Sequence, residues 1–503
     1  MSSNFETAKI LVGMTVGAHS RTETGANTLG RWAHPIHEVA SALRPRLNRA
    51  SSGLSGTLLR LVLALLPLVL LSACSDPPPA DPMLPAPVVI LDIDTLRADH
   101  LGCYGYRRPT SPRIDALANE SFLFQWAFSQ AHSTGPSQGS IFTGLYPTTH
   151  SLVYNGARLP DSVTTLAEHF SDAGFKTAAF VDGGFMDPIF GLDQGFQHYE
   201  THDWKGLDTI GPRVIDWLRR NAEENFLLLV HTYDVHADYT PPEPFRSLFT
   251  EGITPTPGFE PTVKQLEVIR KSQARDQALQ LPAADLAFAE ARYDGGIRFV
   301  DYWVGRILDE LQALGLDRRA TIILLSDHGE AFQEHGTVEH DRLYAPVTHI
   351  PLLIRPPGGT QGKVVESVVQ AMDIMPTLLE GAGLQVPTNL QGRSLLPFLR
   401  GEPPREMPAF SESPYFGHRR AIAWGDHHLI GALESDHIEL FNFRLDPLEL
   451  EELSAENPQV VSELYDVAKR WQDSLNLRGA PETEVPSLDD EKVKSLQALG
   501  YLN

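Results

Sequence analysis

Four short apolar runs, each ending on polar residues, constrain the fold of this chain more than any other feature. They cover residues 87–94, 177–182, 225–234 and 320–329. Continuous apolar runs of this length are typical of strands that are buried on both faces of a sheet. Amphipathic helical patterns lie between them, for example over 163–175 and 297–314. The alternation of strand and helix predicts an α/β fold in which a mostly parallel sheet is sandwiched by helices.

Acidic and histidine side chains follow these strands at the point where each strand ends. Asp94 closes the first run, Asp234 and His236 belong to the third, and Asp327 and His328 belong to the fourth. Ligands of parallel sheets bind beyond the carboxyl ends of the strands, so these side chains are expected at one edge of the sheet. Their oxygen and nitrogen atoms suit a divalent cation, although Asp94 taken alone is more typical of a turn or helix cap.

The stretch "HSTGPSQGSIFTG" (132–144) places the hydroxyl of Thr134 at the start of a short predicted helix. Gly135 permits the close approach of another group, and Pro136 suits the first helical turn. The amino end of a helix also favours negative charge beside the threonine. A metal ion at the strand ends would lower the pKa of this hydroxyl and produce an alkoxide nucleophile. The alternative is that Thr134 only caps the helix.

The N-terminal part of the chain has the features of an export signal. The apolar run "LVLALLPLVLLSA" (61–73) follows several arginines and is too short for a comfortable transmembrane helix. Residues 71–74 resemble a bacterial lipobox, which predicts acylation of Cys74, whereas an ordinary cleaved signal or a buried hairpin is the alternative. We expect a presequence and lipoprotein signal peptide over 1–73 and a Pro-rich tether over 74–86. The chain would then be exported and lipid-anchored in the bacterial cell envelope, at the periplasmic or outer surface.

Composition and charge narrow the class of partner. The formal net charge is −23 at pH 7, which argues against a nucleic-acid partner because phosphate binding needs a basic surface. Contact with the membrane is expected through the lipid anchor only. After about residue 385 the pattern changes to short strands and one long helix. We therefore expect one α/β domain over 87–385 and a smaller C-terminal α+β subdomain over 386–503.

Several segments in this order resemble the sulfatase family of the alkaline phosphatase superfamily. The resemblance runs from about residue 86 to residue 503 and includes "IDTLRADHLGCYG", "TGPSQGSIFTGLYP", "YDVHADYTPP", "SDHGEAFQEHG", "HIPLLIRPPG" and "LQGRSLLPFL". It implies an alkaline-phosphatase-like fold, so that 87–385 is the catalytic domain. It also implies a metal-assisted, covalent, in-line displacement at sulfur or phosphorus.

The chain departs from the family pattern where the substrate binds. Family sulfatases carry a Cys or Ser that is converted to formylglycine, followed by an arginine, whereas Thr134 and Gln138 stand at those positions here. The lysine–histidine pair that contacts sulfate in the family is replaced by "FVDGGFMD" (180–187). Thr95 replaces an aspartate ligand. His328 replaces an asparagine ligand, which favours zinc or manganese over calcium.

These departures favour a phosphate ester over a sulfate ester. A formylglycine hydrate releases sulfate by collapsing to an aldehyde, which a threonine cannot do. An intermediate on Thr134 must instead be hydrolysed or transferred by attack at the central atom. Nucleophilic threonines of this kind resemble those of related phosphodiesterases and phosphoethanolamine transferases.

The resemblance also implies roles for individual residues. One divalent ion (Zn or Mn favoured, Ca possible) would be held by Asp94, Thr134, Asp327 and His328. A complete second metal site is not expected, although His231, Asp234 and Asp238 offer an improvised one.

Other residues would contact the substrate. His236 matches a family histidine on the leaving-group side, with a solvated loop histidine as the alternative. His340 and Arg342 lie where the family contacts the transferred group, although "HDR" is equally typical of a surface ion-pair cluster. Gln138 and Asn155 are weaker substrate-binding candidates.

The sequence thus predicts a metal-dependent ester hydrolase that uses Thr134 and is favoured on phosphate mono- or diesters. Its substrate would be an anionic ester that is small or linked to a glycan or lipid. Three alternatives remain: an arylsulfatase-like sulfuric ester hydrolase, a phosphoethanolamine-type transferase and a non-catalytic binding lipoprotein.

Overall fold

The computed structural model describes residues 84, 87–273, 279–403, 406–413, 419–432, 437–476 and 481–497, all within the compact unit Pro79–Asn503. Cys74, the predicted signal peptide and, apart from Leu84, the predicted tether lie outside the described residues. The described part of the chain contains no helix that is both long and apolar enough to cross a bilayer.

The strands are numbered in chain order. They are β1 (Val88–Ile93), β2 (Phe122–Phe128), β3 (Lys176–Val181), β4 (His198–Thr201), β5 (Phe226–Thr232), β6 (Thr321–Leu325), β7 (Ala331–Phe332), β8 (Val338–Glu339), β9 (His349–Ile350), β10 (Leu352–Arg355), β11 (Lys363–Gln370), β12 (Ala409–Ser413), β13 (Arg419–Trp424), β14 (His427–Ala432) and β15 (Ile438–Phe441).

The α-helices are numbered in the same way. They are α1 (Pro112–Ala118), α2 (Thr134–Thr143), α3 (Pro147–His150), α4 (Leu166–Asp172), α5 (Gly206–Asn221), α6 (Val263–Gln273), α7 (Ala283–Ala313), α8 (Ala345–Thr348), α9 (Ile374–Gly381), α10 (Leu396–Leu399), α11 (Pro458–Asn476) and α12 (Asp490–Gln497).

A nine-stranded sheet forms the centre of the fold. Its strand order is β11-β2-β10-β6-β1-β5-β3-β4, with β9 paired to β2. β1 pairs in parallel with β5 on one side and with β6 on the other. β10 runs antiparallel to both of its neighbours. The predicted mostly parallel sheet is confirmed. The strands predicted within 87–94, 225–234 and 320–329 are β1, β5 and β6, and they lie at the centre of the sheet.

Helices cover both faces of this sheet because its strands are apolar on both sides. Val89, Leu91 and Ile93 of β1 pack in one core cluster with residues of α5 and α7. Val88 and Ile90 alternate with them and pack in a second cluster with residues of α2, α4 and α9. This sandwich of two cores agrees with the predicted fold class.

Helix boundaries differ from the sequence prediction in two places. The helix predicted over 163–175 is shorter (α4), because the side chain of Thr165 accepts a hydrogen bond from the Glu168 amide and starts the helix there. The sequence of 244–284 is polar and contains prolines, which predicts an inserted loop or lid, whereas part of this segment is helical. α6 lies within it because Val263, Leu266 and Ile269 recur every three residues and are buried.

Strands β12 to β15 form an antiparallel sheet of four strands, and α11 packs on it. The rings of Phe410 and Trp471 stack with their centroids 4.5 Å apart. The Ser411 hydroxyl donates to the Ser129 carbonyl, close before Thr134 in the chain. The smaller C-terminal α+β part thus contacts the segment that leads to Thr134. The domain boundary at residue 385 stays a prediction.

Candidate active site

Three neighbouring strands bring polar side chains to one buried place. Asp92 of β1 pairs in register with His231 of β5. Side chains alternate along a strand and paired residues share a face, so Asp92, Asp94 and His231 point to the same side of the sheet. Asp327 lies two residues beyond the end of β6, the other neighbour of β1. The structure thus places Asp94 and Asp327 together, and adds a histidine from within a strand.

Asp94, His231 and Asp327 form a cluster that can hold a metal ion. One ligand atom of each lies within 4.8 Å of the other two, and His231 Nε2 is 3.9 Å from Asp94 Oδ2. His328 lies at its border, with Nε2 3.7 Å from Asp327 Oδ2. All four side chains are fully buried. The sequence had placed His231 only in an improvised second site.

The ligand atoms of this cluster lack hydrogen-bond partners. Asp94 Oδ1, Asp327 Oδ2, His328 Nε2 and both ring nitrogens of His231 are buried without one. A buried polar group without a partner costs roughly 1–3 kcal/mol, so several in one place need an explanation. A divalent cation satisfies carboxylate oxygens and imidazole nitrogens together, and the donor set therefore fits one.

The electrostatics of the cluster agree with this interpretation. Burial and the neighbouring Asp327 carboxylate raise the pKa of Asp94 well above its ordinary value. Burial lowers the pKa of His231 to about 4. Both directions mean that the buried pocket disfavours charged side chains unless a compensating charge is present. A cation among the carboxylates supplies that charge.

Thr134 is the first residue of α2 and faces this cluster. Its Oγ1 donates a hydrogen bond of 3.0 Å to Asp94 Oδ2, and the side chain is fully buried. The Asn155 Oδ1 accepts a 2.8 Å hydrogen bond from the Gly135 amide and so fixes the first turn. Asn155, predicted to bind substrate, is therefore a residue that holds the helix start in this structure.

Gln138 lies against a buried carboxylate, and its contact with the substrate stays a prediction. Gln138 is fully buried, and its amide nitrogen donates to Asp92 Oδ2 at 2.7 Å. The neighbouring carboxylate needs this donor because burial and Asp327 raise the pKa of Asp92 well above normal. The glutamine therefore stabilises a buried acid at the position where the family pattern has an arginine. Arg342 is half-buried, and its charge acts on Tyr344.

The predicted histidines His236 and His340 lie next to His328, at the border of the cluster. The ring of His340 lies 4.5 Å from that of His328 and 5.2 Å from that of His236, between centroids. His340 is buried, so the alternative of a surface ion-pair cluster is wrong for this residue. Burial lowers the pKa of His236 to about 4, and burial with the nearby histidines lowers the pKa of His340. Both imidazoles are neutral at pH 7 in this state.

Tyr233 is a residue that the sequence analysis did not single out. It directly follows β5, and its ring packs edge-on against His231 with centroids 4.9 Å apart. Its hydroxyl accepts a hydrogen bond of 3.3 Å from the Phe185 amide. Burial, followed by the charges of Asp94 and Asp327, raises the pKa of Tyr233 well above its ordinary value. The phenol therefore keeps its proton at this buried position.

A cavity of about 360 Å³ opens next to these side chains. Its lining includes Asp182, Trp204, Lys205, Tyr233, Asp234 and His236. Tyr233 and His236 belong to the cavity wall, and the Tyr233 ring also packs against His231 of the cluster. The cavity therefore borders the cluster through Tyr233.

The improvised second metal site does not form among the described residues. The Asp234 carboxylate accepts hydrogen bonds from the Leu207 amide and the Thr232 hydroxyl. The Asp238 carboxylate accepts one from the Val263 amide. Both carboxylates accept hydrogen bonds from neighbouring groups of the protein, and His231 belongs to the cluster with Asp94.

Comparison with known proteins identifies the family of this chain. The family model described as Sulfatase matches residues 87–384, more than half of the chain. This chain belongs to the sulfatase family. A second model, the C-terminal part of N-sulphoglucosamine sulphohydrolase, matches residues 333–476. The predicted family is thereby confirmed.

Individual relatives agree with this result. The chain is 24% identical over 372 residues to an arylsulfatase of Clostridium perfringens, covering 61% of this chain and 77% of that protein. It is 23% identical over 421 residues to N-acetylglucosamine-6-O-sulfatase of Bacteroides thetaiotaomicron, with 67% and 75% covered. The crystal structure of a phosphonate monoester hydrolase of Agrobacterium radiobacter superposes with a TM-score of 0.64 at 22% identity, covering 78% of this chain and 96% of that one.

The chain is therefore an ester hydrolase of the sulfatase family, and it has the alkaline-phosphatase-like fold. The family typically binds a divalent metal ion, and Asp94, His231 and Asp327 have the donor atoms for one.

Proposed function

We propose that this sulfatase-family hydrolase uses Thr134 as its nucleophile and acts by preference on phosphate mono- or diesters. The observation that carries the proposal is the position of Thr134 Oγ1. It lies 3.0 Å from Asp94, at the edge of the cluster that Asp94 forms with His231 and Asp327. The hydroxyl is buried, oriented and in contact with a group that can take its proton.

One divalent ion would be held by Asp94, His231 and Asp327, with Thr134 and His328 at its border. Two nitrogen donors beside two carboxylates favour zinc or manganese and leave calcium as the weaker candidate. When bound, such an ion supplies positive charge that lowers the pKa of the Thr134 hydroxyl and offsets the charge of the substrate.

The side chains of this site support a two-step displacement. In the first step the Thr134 oxygen forms a bond to the central phosphorus or sulfur atom, and the ester oxygen leaves. In the second step water attacks the same atom and releases Thr134. His236 and His340 are neutral imidazoles whose rings lie 5.2 Å apart, and they can exchange protons with the leaving group and the water.

The preference for phosphate rests on the identity of the nucleophile. A threonine ester cannot collapse to an aldehyde, so both steps must occur by attack at the central atom. The name of the Agrobacterium radiobacter neighbour, a phosphonate monoester hydrolase, agrees with chemistry at phosphorus on this fold. A sulfate ester is the second candidate because the curated relatives include an arylsulfatase and an N-acetylglucosamine-6-O-sulfatase. The latter name also agrees with a glycan-linked substrate.

Two further expectations remain proposals. Lipid anchoring at Cys74 rests on the sequence "LSAC" after a short apolar run, and it would place the enzyme in the bacterial envelope. The predicted alternatives of a phosphoethanolamine-type transferase and a non-catalytic lipoprotein are distinguished from hydrolysis by the products, because a transferase needs an acceptor and a binding protein forms none.

A paired activity screen tests the proposal. Wild type, Thr134→Ala and the control Thr143→Ala would be offered an aryl phosphate, a bis-aryl phosphate, an aryl phosphonate and an aryl sulfate with zinc, manganese or calcium. Thr143 is a matched control because it is also buried in α2, with its hydroxyl bonded to the Gly139 carbonyl.

We expect turnover of phosphate esters by wild type and Thr143→Ala, and its loss in Thr134→Ala. Turnover of the sulfate ester alone would make the sulfate candidate the function. Phosphate turnover that survives in Thr134→Ala at the wild-type rate would refute Thr134 as the nucleophile.

A further inference from the structure

His340 lies at the border of the metal cluster but comes from outside the central sheet. It directly follows β8, which pairs only with β7 in a small sheet of two strands. Proton transfer requires the ring to stay within hydrogen-bond reach of the group that gains or loses the proton. The segment around His340 must therefore be held in place by contacts with other parts of the chain.

The residue before His340 has a strained backbone. Glu339 has a φ of +62°, in the left-handed region that favours glycine. Its side chain is buried, and burial raises the pKa of Glu339 to about 8. Strained residues of this kind persist where the surrounding structure holds them, and they are frequent at active sites.

Arg270 of α6 contacts both neighbours of His340. Its Nε lies 3.0 Å from Glu339 Oε2, and its Nη1 donates a hydrogen bond of 3.4 Å to Asp341 Oδ1. Glu267 Oε1, on the same helix, lies 3.8 Å from Arg270 Nη2. The charge of Arg270 also opposes the rise in the pKa of Glu339. One planar guanidinium thus links the residues on either side of the histidine.

The helix that carries Arg270 is also joined to the segment of His236. α6 begins at Val263, whose amide donates a hydrogen bond to the Asp238 carboxylate. Val263 and Arg270 lie about two helical turns apart. α6 therefore connects the two segments that carry His236 and His340, whose ring centroids lie 5.2 Å apart.

We propose that Arg270 is a positioning residue that holds His340 beside His236 for proton transfer to the leaving group. The inserted segment 244–284 would then act on the reaction through α6. This inference rests on the proposed function, in which Thr134 is the nucleophile and the two histidines move protons.

The reaction that depends on this arrangement is balanced. The Thr134 oxygen bonds to the central atom and gives its proton to Asp94, and the ester oxygen leaves with the electron pair of the broken bond. The ester oxygen takes up a proton that His340 or His236 relays from water. The hydroxide that remains attacks the central atom in the second step, and Thr134 regains its proton from Asp94.

The ratio of kcat/KM for two esters tests the proposal, because this ratio does not depend on the folded fraction of a variant. The full-length, metal-loaded protein would be offered 4-nitrophenyl phosphate against phenyl phosphate, and bis(4-nitrophenyl) phosphate against diphenyl phosphate. Nitrophenolate leaves readily without a proton, whereas phenolate is the poorer leaving group and depends more on general acid catalysis.

The variants are Arg270→Met, Arg270→Lys, His340→Gln, the double variant of Arg270→Met with His340→Gln, and Thr134→Ala. Arg292→Met is the matched control. Arg292 Nη2 lies 2.7 Å from Glu260 Oε2, so this arginine links the same inserted segment to α7.

We expect kcat/KM of Arg270→Met to fall about 10²-fold for the phenyl esters, as for a misplaced catalytic group, and much less for the nitrophenyl esters. Arg270→Lys should lie between Arg270→Met and wild type, because an ammonium cannot reproduce the planar fork of the guanidinium. Arg292→Met should keep the wild-type ratio. The double variant should match His340→Gln, because Arg270 acts through His340.

Two results would overturn this inference alone. The first is a wild-type ratio in Arg270→Met while Thr134→Ala is inactive, which would leave the nucleophile in place and remove the role of Arg270. The second is a double variant whose kcat/KM for the phenyl esters lies well below that of His340→Gln, since Arg270 would then act elsewhere. Full turnover by Thr134→Ala would overturn the proposed function and this inference together.

Discussion

Gly184→Ala tests how tightly the segment after β3 holds the site. The added methyl group would lie 2.8 Å from Trp204 Cζ2 and 3.1 Å from Tyr233 Cε2. Carbon atoms in contact are usually 3.5–4.0 Å apart, so both rings must shift. The substitution also places a Cβ at a φ of +59°, in the left-handed region that alanine rarely adopts.

Two contributions to the loss of stability can be separated. A non-glycine residue in the left-handed region costs about 1–2 kcal/mol. Overpacking, here the contact of the added methyl group with the rings of Trp204 and Tyr233, costs about 1–3 kcal/mol more. Gly425→Ala is the matched control, because Gly425 has a φ of +62° and no atom within 4 Å of the added methyl group. Gly425→Ala should therefore lose only the stability that the left-handed backbone conformation costs.

Urea unfolding of both variants measures these losses. We expect the free energy of unfolding to fall by about 2–5 kcal/mol in Gly184→Ala and by about 1–2 kcal/mol in Gly425→Ala. Ester hydrolysis should fall only in Gly184→Ala, because only that methyl group moves Tyr233, whose ring packs against His231 of the cluster. Equal losses of stability in the two variants, with full activity in both, would refute the packing argument.

Two other predictions concern the metal cluster and acid stability. Zinc or manganese at 100 times its dissociation constant should stabilise the wild type by about 2.7 kcal/mol. Thermal melting should show no such gain in stability for Asp327→Asn. Equal gains in the two proteins would contradict the assignment of Asp327 as a ligand. Burial lowers the pKa of His150 to about 3, so this histidine stays neutral in the folded protein. Its contribution to stability is complete above its unfolded pKa of about 6.5 and is lost as the pH falls below that value, by up to about 1.4 kcal/mol per pH unit. Urea titrations from pH 7 to pH 4 should show a shallower loss for His150→Gln than for wild type, and parallel curves would exclude this histidine as a cause.

The meeting of Asp94 and Asp327 was predictable from sequence. Both follow apolar strands, and parallel strands that neighbour each other end at one edge of the sheet. The register of β1 with β6 then brings the two carboxylates close together. The same argument could have included His231, because a histidine inside the apolar run "FLLLVHT" is buried and needs a partner.

The neighbours of Gln138 could not be predicted in this way. Its place in a family motif suggested a contact with substrate, whereas the structure buries it against Asp92. The contact depends on the depth at which α2 packs on β1, and no periodicity of the sequence encodes that depth. Asn155 is similar, since its bond to the Gly135 amide joins a loop to a helix start 20 residues away.

Tyr233 shows a different limit. Its position after a strand was readable, but the packing of its ring in the cavity wall requires the turn at Gly184 and the ring of Trp204. These groups come from separate segments of the chain, and their arrangement is a property of the folded core. The two consecutive glycines in "FVDGGFMD" were the available signal, because glycines with positive φ mark places of close approach.

The stereochemical course at phosphorus tests the central claim most directly. Each in-line displacement inverts the configuration of the phosphorus atom, so attack by Thr134 followed by attack by water retains it overall. A chiral phosphorothioate diester hydrolysed in ¹⁸O-labelled water, with the product configuration read by ³¹P NMR, distinguishes the two routes. The account predicts retention, and inversion would mean that water attacks directly and that Thr134 is not the nucleophile.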